Sequence, residues 1–150
     1  MFYIYSSKIN TGKTTKLFDL EKKIINRYNV CSFLSVKRFK NNKRIYDLYF
    51  NGKKINKIVE VENKKIYYYQ KVFDFAFYII KKYNFEFYII DEAGLLELSK
   101  KGFYKTIKYL IKKDKKSIFV VRDFLVESFI EFFKIKNYKV INSLNNICLK

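Results

Sequence analysis

Three stretches of this chain place reactive side chains at spacings that suit phosphate chemistry. The first is Ser7-Lys8-Ile9-Asn10-Thr11-Gly12-Lys13-Thr14-Thr15. It meets the pattern G-x-x-x-x-G-K-[ST] at every fixed position but the first, where Ser7 stands in place of glycine. In such a loop the backbone N–H groups of residues 7–15 and of the following helix N-terminus point at phosphate oxygens. Gly12 lets the backbone approach closely. Lys13 sets a point charge between the β- and γ-phosphates, the Thr14 hydroxyl is placed to ligate Mg²⁺, and Thr15 could donate to the α-phosphate.

The second stretch is Phe87-Tyr88-Ile89-Ile90-Asp91-Glu92, an apolar run that ends in two carboxylates. An acidic strand end is common in solvent, but downstream of a phosphate loop it forms the Walker B pattern. Asp91 is then the aspartate that holds Mg²⁺, usually through water. Glu92 is the candidate to orient or deprotonate an attacking water. The third is Arg122-Asp123, after the apolar run 118–121. If that run pairs beside the phosphate-loop strand, Arg122 reaches the γ-phosphate and stabilises transition-state charge; otherwise it is a surface arginine. Lys37, Arg38 and Arg44 flank a basic stretch and read as solvated hairpin charge.

The elements that must position these groups follow from hydrophobic period and turn chemistry. Residues 2–5 predict a short buried strand, and 13–28 a helix with Leu17, Leu20, Ile24 and Ile25 on one face. Strands are predicted at 30–36 and 45–50 around a basic turn at 37–43. Asn51-Gly52 predicts a tight turn into strands at 54–61 and 65–69. A helix is expected at 72–83, and 85–90 reads as a central parallel strand. Further helices are expected at 99–113, with Ser99 as N-cap, and at 124–133. Further strands are expected at 118–121 and 139–141, with an edge strand at 147–149. This alternation predicts one α/β domain over 1–150: a three-layer sandwich with a mostly parallel sheet and an antiparallel β-hairpin insertion at about 30–69. Ligands of such sheets bind beyond the carboxyl ends of the strands, where all three stretches fall.

Composition narrows the class. Of 150 residues, 49% are hydrophobic and 20% aromatic, enough to build a core. There is no proline, only four glycines, and no visible linker. Without histidine or a C-x-x-C spacing, a zinc site is not expected, and Cys31 and Cys148 read as lone buried thiols. No apolar run approaches the ~20 residues of a spanning helix, and the N-terminus lacks the layout of a signal peptide. The expected location is the cytoplasm, with no membrane partner and a monomeric state. The net charge of +18 attracts anions. The lysines are spread along the whole chain rather than clustered, so they read as solvated surface charge more than as a nucleic-acid face.

Taken together, the chain resembles the small P-loop nucleoside-triphosphatases related to the cancer-related nucleoside-triphosphatase, a family with bacterial and archaeal members. The likeness spans nearly the whole length and rests on three places. One is Gly12–Thr15. Another runs from Ser35-Val36-Lys37-Arg38 through Asn42-Lys43-Arg44-Ile45-Tyr46-Asp47-Leu48 to Asn51-Gly52, similar to the family's EVR…GRR.GFD…SG. The most specific is Ile90-Asp91-Glu92-Ala93-Gly94-Leu95-Leu96-Glu97-Leu98-Ser99, similar to DEIGKMELFS, with Gly94, Glu97 and Leu98 retained. Departures fall at Ser7, Ala93 and Leu95. The resemblance implies Mg²⁺-dependent hydrolysis of nucleoside triphosphates such as ATP and GTP to the diphosphate and phosphate, with broad base tolerance. Two alternatives stand beside it. A small-molecule or nucleotide kinase would use the same loop but usually needs an arginine-rich lid, and after residue 30 the only arginines are 38, 44 and 122. A nucleotide-gated nucleic-acid-binding module would bind RNA or DNA with a steep salt dependence. No N-K-x-D segment for reading guanine is present.

Overall fold

The structure is a computed structural model that describes residues 1–8 and 12–147. Ile9, Asn10 and Thr11 of the phosphate loop lie outside the described residues, as do Cys148 and Leu149. One sheet of eight strands carries the architecture, in the order β5-β4-β3-β2-β6-β7-β1-β8. Its parallel part comprises β1 (Phe2–Ser7), β6 (Phe87–Ala93), β7 (Ser117–Arg122), β8 (Tyr138–Ile141) and the first half of β2 (Val30–Lys40). The antiparallel part continues through β3 (Lys43–Phe50), β4 (Lys53–Glu62) and β5 (Lys65–Tyr68). This is the expected α/β architecture with its hairpin insertion.

Helices cover both faces of the parallel part. On one face α1 (Lys13–Ile24) buries Leu17 and Ile24 against Leu34, Ile89, Ile118 and Val120. On the other, α2 (Gln70–Lys82), α4 (Tyr104–Lys112) and α5 (Val126–Phe133) bury Phe73, Ala76, Ile80, Ile107, Leu110 and Phe129 against Phe33, Ile90 and Phe119. β6 and β7 are covered on both sides, which explains their unbroken apolar runs. Each such side chain stabilises the fold by about 1.5–3 kcal/mol.

Several boundaries differ from those the sequence predicts: α1 ends at Ile24 rather than at 28, and β6 starts at Phe87 rather than at 85. The basic stretch 37–43 is not a broad turn: β2 and β3 run through it and reverse at Asn41-Asn42, both at positive φ. Asparagine tolerates that conformation, as Asn51-Gly52 does in the next hairpin. The helix expected at 99–113 splits. A single turn, α3 (Leu95–Leu98), ends at Ser99, and α4 starts only at Tyr104. Ser99 therefore closes one element rather than opening another, and Gly102, at φ 59°, breaks the path between them. Residues 123–125 form a 3₁₀ turn ahead of α5. Leu144–Asn146 form another, and among the described residues β8 is the edge strand on that side; of the edge strand expected at 147–149 only Ile147 is described.

Candidate active site

β1 and β7 are adjacent and parallel, with Ser7 opposite Arg122. The phosphate loop and Arg122 thus leave the same edge of the sheet, side by side. Gly12 is the N-cap of α1 at φ 68°, and an added Cβ there would meet nothing within 4 Å among the described residues. The left-handed backbone conformation calls for glycine at this position. The first-turn N–H groups of α1 have no carbonyl partner within the helix.

The acidic pair sits in a β-bulge. Ile90 pairs with Phe119 and Ala93 with Val121, so Asp91 and Glu92 share the space opposite the single residue Val120. Glu92 takes up the extra residue in the left-handed region, φ 57°, a conformation that costs a non-glycine residue roughly 1–3 kcal/mol. Bulges of this kind re-aim side chains next to active sites. Here the bulge sends two consecutive carboxylates to one cluster, where a regular strand would send them to opposite faces.

Lys13 stands at the centre of that cluster. Its Nζ lies 3.3 Å from Glu92 Oε1 and 4.0 Å from Asp91 Oδ1. Arg122 Nη2 lies 3.8 Å from Glu92 Oε2. Asp91 is fully buried and accepts bonds from the N–H groups of Ser35 at 3.1 Å and Glu92 at 2.8 Å. Burial pushes its carboxyl up to about 6, and the negative charge of Glu92 pushes the same way, while Lys13 and the two N–H donors pull it down. The Thr14 hydroxyl donates to the carbonyl of Ser35 at 3.4 Å. The hydroxyl of Thr14 and the carboxylate of Asp91 therefore meet on the backbone of one residue, a set of hard oxygen donors that suits Mg²⁺.

A family model described as NTPase matches residues 3–148. The chain belongs to the NTPase family. No curated protein and no solved structure matches it. The family points to a hydrolase that acts on nucleoside triphosphates, and among the described residues no helix of the chain is long and apolar enough to cross a membrane.

Of the residues singled out in the sequence, the fold gathers Lys13, Thr14, Asp91, Glu92 and Arg122. Thr15 is exposed on the first turn of α1, Lys8 is exposed directly after β1, and of Ser7 the backbone alone is described. Arg38 is held away from the site by Asp47, 2.6 Å from Nε to Oδ2. The sequence alone points to no role for Ser35, Gln70, Glu97 and Gly102, and reads Arg44 as solvated hairpin charge. Glu97 was visible only as a retained family position. It is buried 1% exposed and accepts from the N–H groups of Gly94 at 2.7 Å and Phe103 at 2.9 Å. Gln70 grips the Gly102 peptide at both ends, accepting from its N–H at 2.9 Å and donating to its carbonyl at 3.2 Å. A Cβ on Gly102 would stand 2.5 Å from Glu97 Oε1. These bonds fasten the segment that follows the bulge.

Burial raises the Glu97 carboxyl to about 7 from 4.5, against the two N–H donors. The native state thus holds a proton that the unfolded chain has lost, and stability falls as pH rises through the window between 4.5 and about 7. The fall contributed by this group should be about 3 kcal/mol. Urea unfolding at pH 5 and pH 8 should show it, and the Glu97→Gln variant should lose this pH-dependent step. An unchanged pH dependence in the variant would rule out Glu97 as its source.

Proposed function

We propose that this chain is a Mg²⁺-dependent nucleoside-triphosphatase that cleaves NTPs to NDP and phosphate with broad base tolerance. The observation that carries the reading is the convergence of Lys13, Asp91, Glu92 and Arg122 beside the N-terminus of α1. The roles follow from position. The amides of the α1 N-terminus take the phosphate oxygens, and Lys13 leaves its carboxylate partners to meet the β- and γ-phosphates. Thr14 and Asp91 would hold Mg²⁺, which when bound supplies charge neutralisation on the phosphate oxygens. Glu92, freed from Lys13, orients the attacking water and receives its proton. Arg122 neutralises charge that develops on the transferring group. One sheet carries every described strand, in keeping with a single domain.

The deciding experiment is phosphate release from ATP, GTP, CTP and UTP, with and without Mg²⁺, for the wild type, Lys13→Ala and Glu92→Gln. Metal-dependent release from all four, absent in both variants, supports the reading. Tight nucleotide binding with no release above the variants overturns it. Arg122→Ala should lower kcat by about 10²-fold with KM nearly unchanged, because its charge is used in the transition state. A change in KM alone would make Arg122 a ground-state binding residue.

A further inference from the structure

Next to Glu92 and Arg122 lies a cavity of about 160 Å³ that a water-consuming reaction does not need. A water occupies roughly 30 Å³, whereas a cavity of ~150 Å³ takes a benzene ring. The floor is hydrocarbon: Ile58, Val61, Phe73, Phe103 and Leu125, with Ile66 at the rim. Beyond Arg122, which faces Glu92, and the buried Glu97, whose oxygens accept from the Gly94 and Phe103 N–H groups, polar groups stand at two places. At one, Ser35 lines the cavity with Glu92, and the buried Ser35 Oγ has no hydrogen-bond partner among the described residues. At the other is Arg44, exposed on β3, its guanidinium 5.8 Å from the Tyr46 ring centroid and without an acidic partner among the described residues. A nucleobase would lose most of its edge hydrogen bonds against such walls. A hydrocarbon body with one hydroxyl and one anionic group would satisfy every feature.

We propose that this cavity is a second-substrate site for a small amphipathic hydroxy acid, and that its hydroxyl accepts the γ-phosphoryl group in place of water. The inference rests on Glu92 as the proton acceptor of the proposed triphosphatase. Arg44 meets the anionic group, the apolar floor takes the body, and the hydroxyl lies between Ser35 Oγ and the Glu92 carboxylate. The hydroxyl oxygen forms a bond to the γ-phosphorus as the bond from that phosphorus to the β–γ bridging oxygen breaks. The bridging oxygen keeps the electron pair and leaves on the nucleoside diphosphate, and the hydroxyl proton passes to Glu92. The product is a phosphate monoester. Hydrolysis is the same displacement with the cavity empty.

The probe is 4-(hydroxymethyl)benzoate, which joins a ring, a carboxylate and a primary alcohol; 4-methylbenzoate is its non-reacting match. Binding to the nucleotide-free protein is read by saturation-transfer NMR. With MgATP present, ³¹P NMR reads the ester and a coupled assay reads free phosphate. Both probes should bind at ~1–10 mM, the range expected of so small a ligand. The alcohol should yield the ester, and the methyl analogue should slow phosphate release. Arg44→Ala should raise both half-saturating concentrations about tenfold, with probe-free hydrolysis unchanged. Ile66→Trp, at a rim position 57% exposed and so tolerant of bulk, should abolish probe binding. No binding of either probe by a protein that hydrolyses ATP normally overturns the site. Binding without ester overturns the acceptor role and leaves an inhibitory pocket. Hydrolysis that is absent, or unchanged in Glu92→Gln, instead defeats the triphosphatase reading, and the nucleotide-free binding arm still judges the cavity.

Discussion

Lys13→Ala should reduce kcat/KM for ATP by about 10³-fold or more, the larger part of it in kcat. The ammonium is the charge that would follow the γ-phosphoryl group, and in a partly desolvated site its removal forfeits several kcal/mol of transition-state stabilisation, about 4 for a 10³-fold loss. The same variant should be less stable without nucleotide. In the wild type Lys13 stands between a fully buried aspartate and a partly exposed glutamate. Removing it leaves the Asp91 charge buried without its cation, a loss of about 3 kcal/mol where the charge persists. The sign with pH is fixed. Burial already holds Asp91 up at about 6, and losing the cation raises it further. The folded variant then binds a proton that the unfolded chain does not, so its stability declines as pH climbs through that range. Its deficit against the wild type should be largest at pH 8 and shrink toward pH 5, measurable by urea unfolding at both. Equal deficits would mean that Lys13 does not face a charged Asp91.

Glu92→Gln should cut kcat by roughly 10²- to 10⁴-fold, the usual contribution of a positioned general base, and leave nucleotide affinity within a few-fold. Glutamine keeps the size and a carbonyl but cannot take a proton. Because Glu92 is the closer of the two carboxylates to Lys13 in the nucleotide-free protein, its neutral replacement also frees the lysine, so affinity should rise rather than fall. Equilibrium binding of a fluorescent ATP analogue beside single-turnover hydrolysis separates the two effects. Loss of binding in step with loss of turnover would assign Glu92 to substrate or metal binding, and full turnover would assign the water to another group.

How much of this could be read in the sequence differs from place to place for physical reasons. The strand at 87–90 and the helix over Leu17 and Ile24 were legible because burial on both sides, or on one stripe, writes itself into residue type. The position of Arg122 was legible only conditionally. It depends on β7 lying between β6 and β1, a long-range pairing that no local pattern encodes. The boundary at 99–104 misled because Ser99 is a good N-cap type, while the features that decide against it, the buried Glu97 and left-handed Gly102, act through contacts six and more residues away. The reversal at Asn41-Asn42 was hidden inside a run of lysines that read as solvated turn. Arg44 and Ser35 acquire a shared cavity only once the antiparallel strands close over α2 and the α3 turn.

The bulge at Asp91-Glu92 also means that this chemistry is encoded by residue count as well as by residue identity. β6 carries one residue more than its neighbour β7 between the same two rungs. Deleting either acidic residue would restore an even ladder, with Ala93 still opposite Val121 on the face that Ile90 shares, and would leave one carboxylate where two now converge. A substitution at either position removes one side chain and keeps the kink, whereas the loss of a single residue removes a carboxylate and the left-handed step at Glu92 that aims the pair, both at once.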